Sequence, residues 1–144
     1  MAGPLEIEFG TSKRPSRAVA HQRPNGSDDA TVAALGKLSE ALETVEHARG
    51  LLYGFHRMSG TADRLLGDAI AMLRAAGHPD LAEDIDRTLL GRDTIGAQWT
   101  FQIVEGFDAD YWKVFRAVEA HARQQLGGFE PHVHEAEMKA AEQG

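Results

Sequence analysis

Residues 99–126 read WTFQIVEGFDADYWKVFRAVEAHARQQL, and this stretch decides the fold. It contains both tryptophans and three of the six phenylalanines of the chain. Apolar residues recur every three or four positions, the spacing that lines one side of an α-helix. Gly127 and Gly128 follow, and glycine often closes a helix. The stretch therefore predicts one long amphipathic helix, which other helices must cover. Its apolar stripe consists of Val104, Phe107, Tyr111, Val114, Val118 and Ala122.

Three segments upstream carry the same helical spacing. We predict a long helix over residues 29–58, a break at Ser59-Gly60, and shorter helices over residues 61–76 and 79–90. Short connections make successive helices antiparallel neighbours. Residues 29–126 are therefore predicted to form an all-α, up-down-up-down four-helix bundle, in which the first and fourth helices are long and the other two are shorter.

Both ends of the chain are predicted to lie outside this bundle. Residues 1–28 are rich in proline, serine and glycine and have no apolar period, which is typical of a disordered leader. The short apolar segment LEIEF, residues 5–9, is an exception within it. Because the leader is basic, we also consider it as an arm that recruits an acidic partner. Residues 127–144 form a C-terminal tail, with a short helix predicted over about 132–142.

Composition excludes several classes of function. The chain has 144 residues, a net charge of −7 and no cysteine, so disulfides, thiolate zinc sites and cysteine nucleophiles are excluded. Nucleic-acid binding depends on Lys and Arg side chains at phosphates, which an acidic bundle does not offer. No apolar run approaches the roughly 20 residues of a membrane span, and no secretory signal is evident. We expect a cytoplasmic protein that binds neither nucleic acid nor membrane.

Familiar catalytic motifs are missing from the sequence. It contains no phosphate loop, dinucleotide fingerprint, nucleophile elbow or HExxH motif. The Glu-x-x-His pairs of di-iron bundles are also missing, since Glu43 and His47 are four residues apart and fall on the predicted solvent side. The sequence therefore predicts no metal site and no cofactor, and it favours a non-enzymatic function.

Two polar residues interrupt the apolar face of the first predicted helix. Arg49 and His56 continue a seven-residue series that begins with leucines. A charged group on a buried face costs free energy unless it is paired. Folding the second predicted helix back on the first brings His56 level with Asp63. Aligning the first helix with the fourth brings Arg49 level with residues 105–108.

Two interpretations of these polar residues stay open. Buried pairs can fix the register of neighbouring helices without any further role. Alternatively, the side chains line a polar pocket for a small ligand or a metal, with His56 as a ligand or proton carrier. The candidate pocket residues are Arg49, Tyr53, His56, Asp63, Trp99, Glu105 and Asp108.

The fourth predicted helix carries more aromatic surface than one apolar stripe needs. It is apolar on several sides near its start, and such a helix is usually buried on more than one side. Either chain end or a second copy can cover the surplus, and aromatic residues are enriched at interfaces. The candidate interface residues are Trp99, Phe101 and Trp112. We therefore predict a bundle that acts by self-association as a homodimer or by binding a protein partner. The alternative is a small-ligand or metal-binding bundle, with or without catalysis, centred on His56.

Overall fold

A computed structural model describes residues 21–143, and this part of the chain is helical without a β-strand. The all-α prediction is confirmed. A π-helical segment, Asp108–Trp112, joins two of the helices end to end. The helices are α1 (Asp29–Ala75), α2 (Pro79–Thr88), α3 (Thr100–Phe107), α4 (Lys113–Gln125) and α5 (Val133–Gln143).

Helix α1 continues through the position where the sequence predicted a break. It begins where the Asp28 Oδ1 atom accepts the Thr31 backbone N–H at 2.7 Å, as expected of a helix N-cap. The predicted break at Ser59-Gly60 is wrong. A glycine inside a helix costs at most about 1 kcal/mol against alanine, and no proline is present to force an end. The hairpin needed for the up-down-up-down order is therefore missing here, and that order is not confirmed.

The π-helical segment changes which side of α4 is buried. A π-helical hydrogen bond spans one residue more than an α-helical one, so the side chains beyond it turn to another side of the helix. Val104, before the segment, is buried. Tyr111, Val114 and Val118 are 55%, 52% and 52% exposed, whereas Glu119 is buried. The predicted apolar stripe is thus buried at Val104, exposed at Tyr111, Val114 and Val118, and partly buried again at Ala122.

The chain divides into two compact units. In the described part of the chain, residues 21–40 and 119–143 form the terminal unit, and Ala41–Val118 form the middle unit. The apolar centre of the terminal unit joins the first turns of α1 to the segment around α5. It consists of Val32, Leu35, Phe129 and Val133, with Ala122 packed against it.

Buried apolar residues of the middle unit come from three helices. Val45 and Ile70 lie on α1, Ala82 lies on α2 and Val104 lies on α3. Each helix therefore turns one side toward the interior of the unit. The N-terminus of α3 is closed by a side chain, because Gln102 Oε1 accepts the Trp99 backbone N–H at 2.9 Å.

The predicted leader lies partly outside the described residues, including the LEIEF segment and everything else up to residue 20. Arg23, within the described part, donates from Nε and an Nη atom to the Glu137 carboxylate at 2.6 and 2.9 Å. Hydrogen bonding to Arg23 lowers the pKa of the Glu137 carboxyl group.

None of the helices in the described range combines the length and apolar composition of a membrane span.

Candidate functional site

The side chains of α1 and the π-helical segment meet in a polar cluster inside the middle unit. We call this group the Arg49 cluster. On α1 the contributing positions are spaced by three and four residues, so they share one face of the helix. On the other side, the π-helical segment presents its first and last residues to that face. The cluster consists of Glu46, Arg49, Tyr53, Asp108 and Trp112.

Asp108 holds Arg49 from both of its carboxylate oxygens. Arg49 Nε donates to Oδ1 at 2.6 Å, and an Nη atom donates to Oδ2 at 3.0 Å. The Tyr53 hydroxyl donates to the same Oδ2 at 2.7 Å. The side chains of Arg49 and Asp108 are 29% and 22% exposed, so the ion pair is largely screened from solvent. The predicted approach of Arg49 to Asp108 is therefore confirmed.

These contacts favour the charged forms of Arg49 and Asp108 and the neutral form of Tyr53. Two hydrogen-bond donors lower the pKa of the Asp108 carboxyl group: Arg49 has the larger effect and Tyr53 the smaller. The bond to Asp108 raises the pKa of the Arg49 guanidinium. The Asp108 carboxylate also raises the pKa of the Tyr53 hydroxyl, because it accepts the hydrogen bond that this hydroxyl donates. Each group is therefore stabilised in the form in which it already makes its bonds.

Aromatic rings complete the cluster around the guanidinium. The Arg49 Cζ atom lies 4.1 Å from the Trp112 ring centroid and 4.7 Å from that of Tyr53. Arg116 also lies over Trp112, at 4.7 Å. The Trp112 Nε1–H donates to Glu46 at 3.0 Å. Trp112, predicted as an interface residue, is thus half-buried within its own chain and engaged in cation–π contacts.

His56 lies apart from the partner that the sequence predicted. Its Nδ1 atom is hydrogen-bonded to Thr100 Oγ1 at 2.6 Å. The predicted pairing with Asp63 is wrong, because both residues lie on the continuous helix α1, seven positions apart. Asp63 is exposed and accepts the Gly91 backbone N–H at 2.8 Å, which ties α1 to the turn after α2.

An open groove of about 710 Å³ lies beside the His56–Thr100 contact in the middle unit. We call it the loop groove, and its walls are residues 59–66 of α1 and residues 89–100. Asp63, Trp99 and Thr100 all line it, so the structure brings two predicted pocket residues together next to the His56 contact. Trp99 is 62% exposed, and its ring centroid lies 5.2 Å from that of Phe101. Glu105, another predicted pocket residue, is exposed. Arg49 is hydrogen-bonded to Asp108 rather than to Glu105.

A second polar group, in the terminal unit, was not predicted. Glu119 is 5% exposed and accepts bonds from Arg123 at 2.9 and 3.1 Å. Ser39 Oγ donates to the same carboxylate at 3.1 Å. Burial of Glu119 could not be predicted from the sequence, because an uninterrupted α-helical phase puts this residue beside the apolar stripe rather than on the buried side. Glu43 and His47 are exposed, as predicted.

Within residues 21–143, the features that bear on function are the Arg49 cluster, the loop groove and the buried Glu119 carboxylate. Comparison of the chain with protein-family models, with curated proteins and with solved structures gave no match.

Proposed function

We propose that this chain is a non-enzymatic helical protein that acts by self-association as a homodimer. The observation that carries the proposal is a row of exposed apolar residues along α1, within the middle unit. We call this row the α1 stripe. It consists of Ala48, Leu51, Phe55, Met58, Ala62, Leu65, Ala69 and Met72, all exposed.

The spacing of the α1 stripe is that of a coiled-coil seam. Its members alternate by three and four residues over about 36 Å of helix. Leu51, Met58, Leu65 and Met72 are 65%, 73%, 58% and 71% exposed. Large contiguous apolar patches on soluble proteins usually mark interaction sites. A stripe of this length and regularity therefore supports association with another helix.

The bonding of the Arg49 cluster favours a structural role for that cluster. Asp108 already accepts three hydrogen bonds, two from Arg49 and one from Tyr53. A ligand for these groups would have to displace bonds within the chain, which offsets the free energy of binding it. This supports the interpretation in which Arg49 fixes the register between α1 and the π-helical segment.

Light scattering at micromolar concentration tests the proposal. We expect a mass near twice the 15.7 kDa of the chain. The double variant Met58→Glu/Leu65→Glu should then give monomer, because charges placed in an apolar interface lack partners. Trp99→Glu, at one of the interface candidates predicted from the sequence, is the matched comparison and should leave the dimer intact. A monomeric parent protein would refute self-association.

The loop groove supports a second candidate function, the binding of a small ligand beside His56. The observation in its favour is the convergence of Asp63, Trp99 and the His56–Thr100 contact at one open groove. A screen of aromatic amines by ligand-observed NMR would test it, since the groove combines an indole with a carboxylate. Binding that is lost in Trp99→Ala and His56→Leu would favour this function, and no binding by the parent protein would exclude it for this class of ligand.

A further inference from the structure

We infer that two copies of this chain pair antiparallel through the α1 stripe, with the two-fold axis passing near Gly60. This inference rests on the proposed self-association and specifies its geometry. It follows from the order of large and small residues within the stripe. The residues at one heptad position are Ala48, Phe55, Ala62 and Ala69, and those at the other are Leu51, Met58, Leu65 and Met72.

Parallel pairing of two such stripes would pack poorly. Each residue would then face its own counterpart, so alanine would meet alanine in three layers and large residues would crowd the layers between. Layers of unequal thickness leave voids, and voids lose contact energy. Antiparallel pairing instead sets one heptad position against the other. Small residues of one copy can then face large residues of its partner in three of every four layers.

One antiparallel register uses all eight residues of the stripe. In it, Met58 of one copy faces Ala62 of the other, and Phe55 faces Leu65. Continuing outward, Leu51 faces Ala69 and Ala48 faces Met72. A shift of one heptad in either direction leaves two of the eight residues without a partner in the stripe. The register that pairs every residue is centred at Gly60.

The flanks of the stripe leave room for this approach. Within residues 21–143, no atom outside the neighbouring helix backbone lies within 4 Å of the place where a Cβ on Gly54, which flanks the stripe, would sit. Helices pack most closely where such small residues lie beside the seam.

The exposed area is sufficient for a specific dimer. Taking roughly 100 Å² for each of the five large side chains and about 40 Å² for each alanine gives on the order of 600 Å² per copy, near the ~800 Å² per partner of standard interfaces. Antiparallel alignment also sets the two helix dipoles against each other favourably. A second copy therefore fits the stripe in size, shape and area.

Cysteine cross-linking tests the register, because the chain has no cysteine of its own. Thr61 flanks the seam next to the proposed axis, so Thr61→Cys should form a disulfide-linked dimer under mild oxidation. Ala48→Cys is the matched control: its two copies would lie about 36 Å apart in the antiparallel pair and face each other in a parallel one. Mixing Ala48→Cys with Met72→Cys should give the mixed disulfide.

The possible outcomes separate the inference from the function on which it rests. Cross-linking of Ala48→Cys alone would show parallel pairing and overturn the inference while self-association stands. A dimer by light scattering that none of the cysteines can link would place the interface elsewhere, which also overturns it. A monomeric parent protein would refute the proposed function itself. Circular dichroism of each variant confirms that its helices are intact.

Discussion

Asp108 shows how a single carboxylate joins two distant parts of the middle unit. It holds Arg49 and Tyr53 on α1 from the start of the π-helical segment, 55 or more residues along the chain. The pairing was predictable because Arg49 interrupts an apolar face and needs an anion. An antiparallel four-helix bundle places the anion among residues 105–108. Asp108 is indeed the partner, although the continuous α1 lacks the hairpin of such a bundle.

The lowered pKa of Asp108 predicts a loss of stability in acid. The unfolded chain takes up the proton first, at a pKa near 3.9, so the stabilisation is present above that pH and is lost as the pH falls below it. Urea unfolding at pH 6 and pH 3 should show a smaller loss for Asp108→Asn than for the parent. Asp110→Asn, at an exposed neighbour, should behave like the parent. Equal acid sensitivity in all three would contradict this assignment.

Glu119 predicts a different pattern, because it is buried with its cation. Arg123→Met strands the carboxylate and should cost on the order of 3 kcal/mol of unfolding free energy. Ser39→Ala removes one neutral donor and should cost only about 1 kcal/mol. Chemical denaturation measures both values. Similar costs for the two variants would mean that Glu119 is solvated rather than held by Arg123.

Two features of the helices could not be predicted from the sequence. One is the continuity of α1, and the other is the π-helical segment. Ser59-Gly60 resembles a stop signal, but the cost of one glycine is small beside the hydrogen bonds of a continuous helix. The π-helical segment adds a residue to one turn, and it contains no proline or glycine from which this could be predicted. Periodicity located the helical stretches and their apolar positions; it could not tell which apolar positions lie against a neighbour.

Gly60 tests whether α1 is continuous. No atom lies within 4 Å of a Cβ built at this position, so Gly60→Ala should stabilise the protein by up to about 1 kcal/mol. The thermal midpoint should rise by roughly 4 °C. Gly77→Ala is the matched control, and it should destabilise because the backbone there has φ +87°. A fall in the midpoint for Gly60→Ala would indicate a turn at this glycine.

For the molecule as a whole, the all-α class followed from the sequence, whereas the surface proposed for association did not. The sequence pointed to Trp99, Phe101 and Trp112, since an aromatic excess is visible in composition. The α1 stripe could not be recognised from the sequence, because helical spacing does not distinguish an apolar face that is buried from one that is exposed. Ala62, Leu65 and Ala69 are all exposed.

A homodimer makes stability depend on concentration. Unfolding coupled to dissociation predicts a thermal midpoint that rises as the protein concentration is raised. Scans over a hundredfold range should show this shift for the parent and not for Met58→Glu/Leu65→Glu. A midpoint that is independent of concentration in both proteins would contradict dimerisation.

In the proposed dimer, the two methionines of the α1 stripe would become accessible to oxidants whenever the copies separate. Met58 and Met72 are 73% and 71% exposed in the single chain. Oxidation to the sulfoxide replaces an apolar group with a polar one. We expect hydrogen peroxide to convert the dimer to monomer, with both oxidised residues identified by mass spectrometry, and Met58→Leu/Met72→Leu to resist. Association of this chain would then respond to the oxidative state of its surroundings, and methionine sulfoxide reductases would restore it.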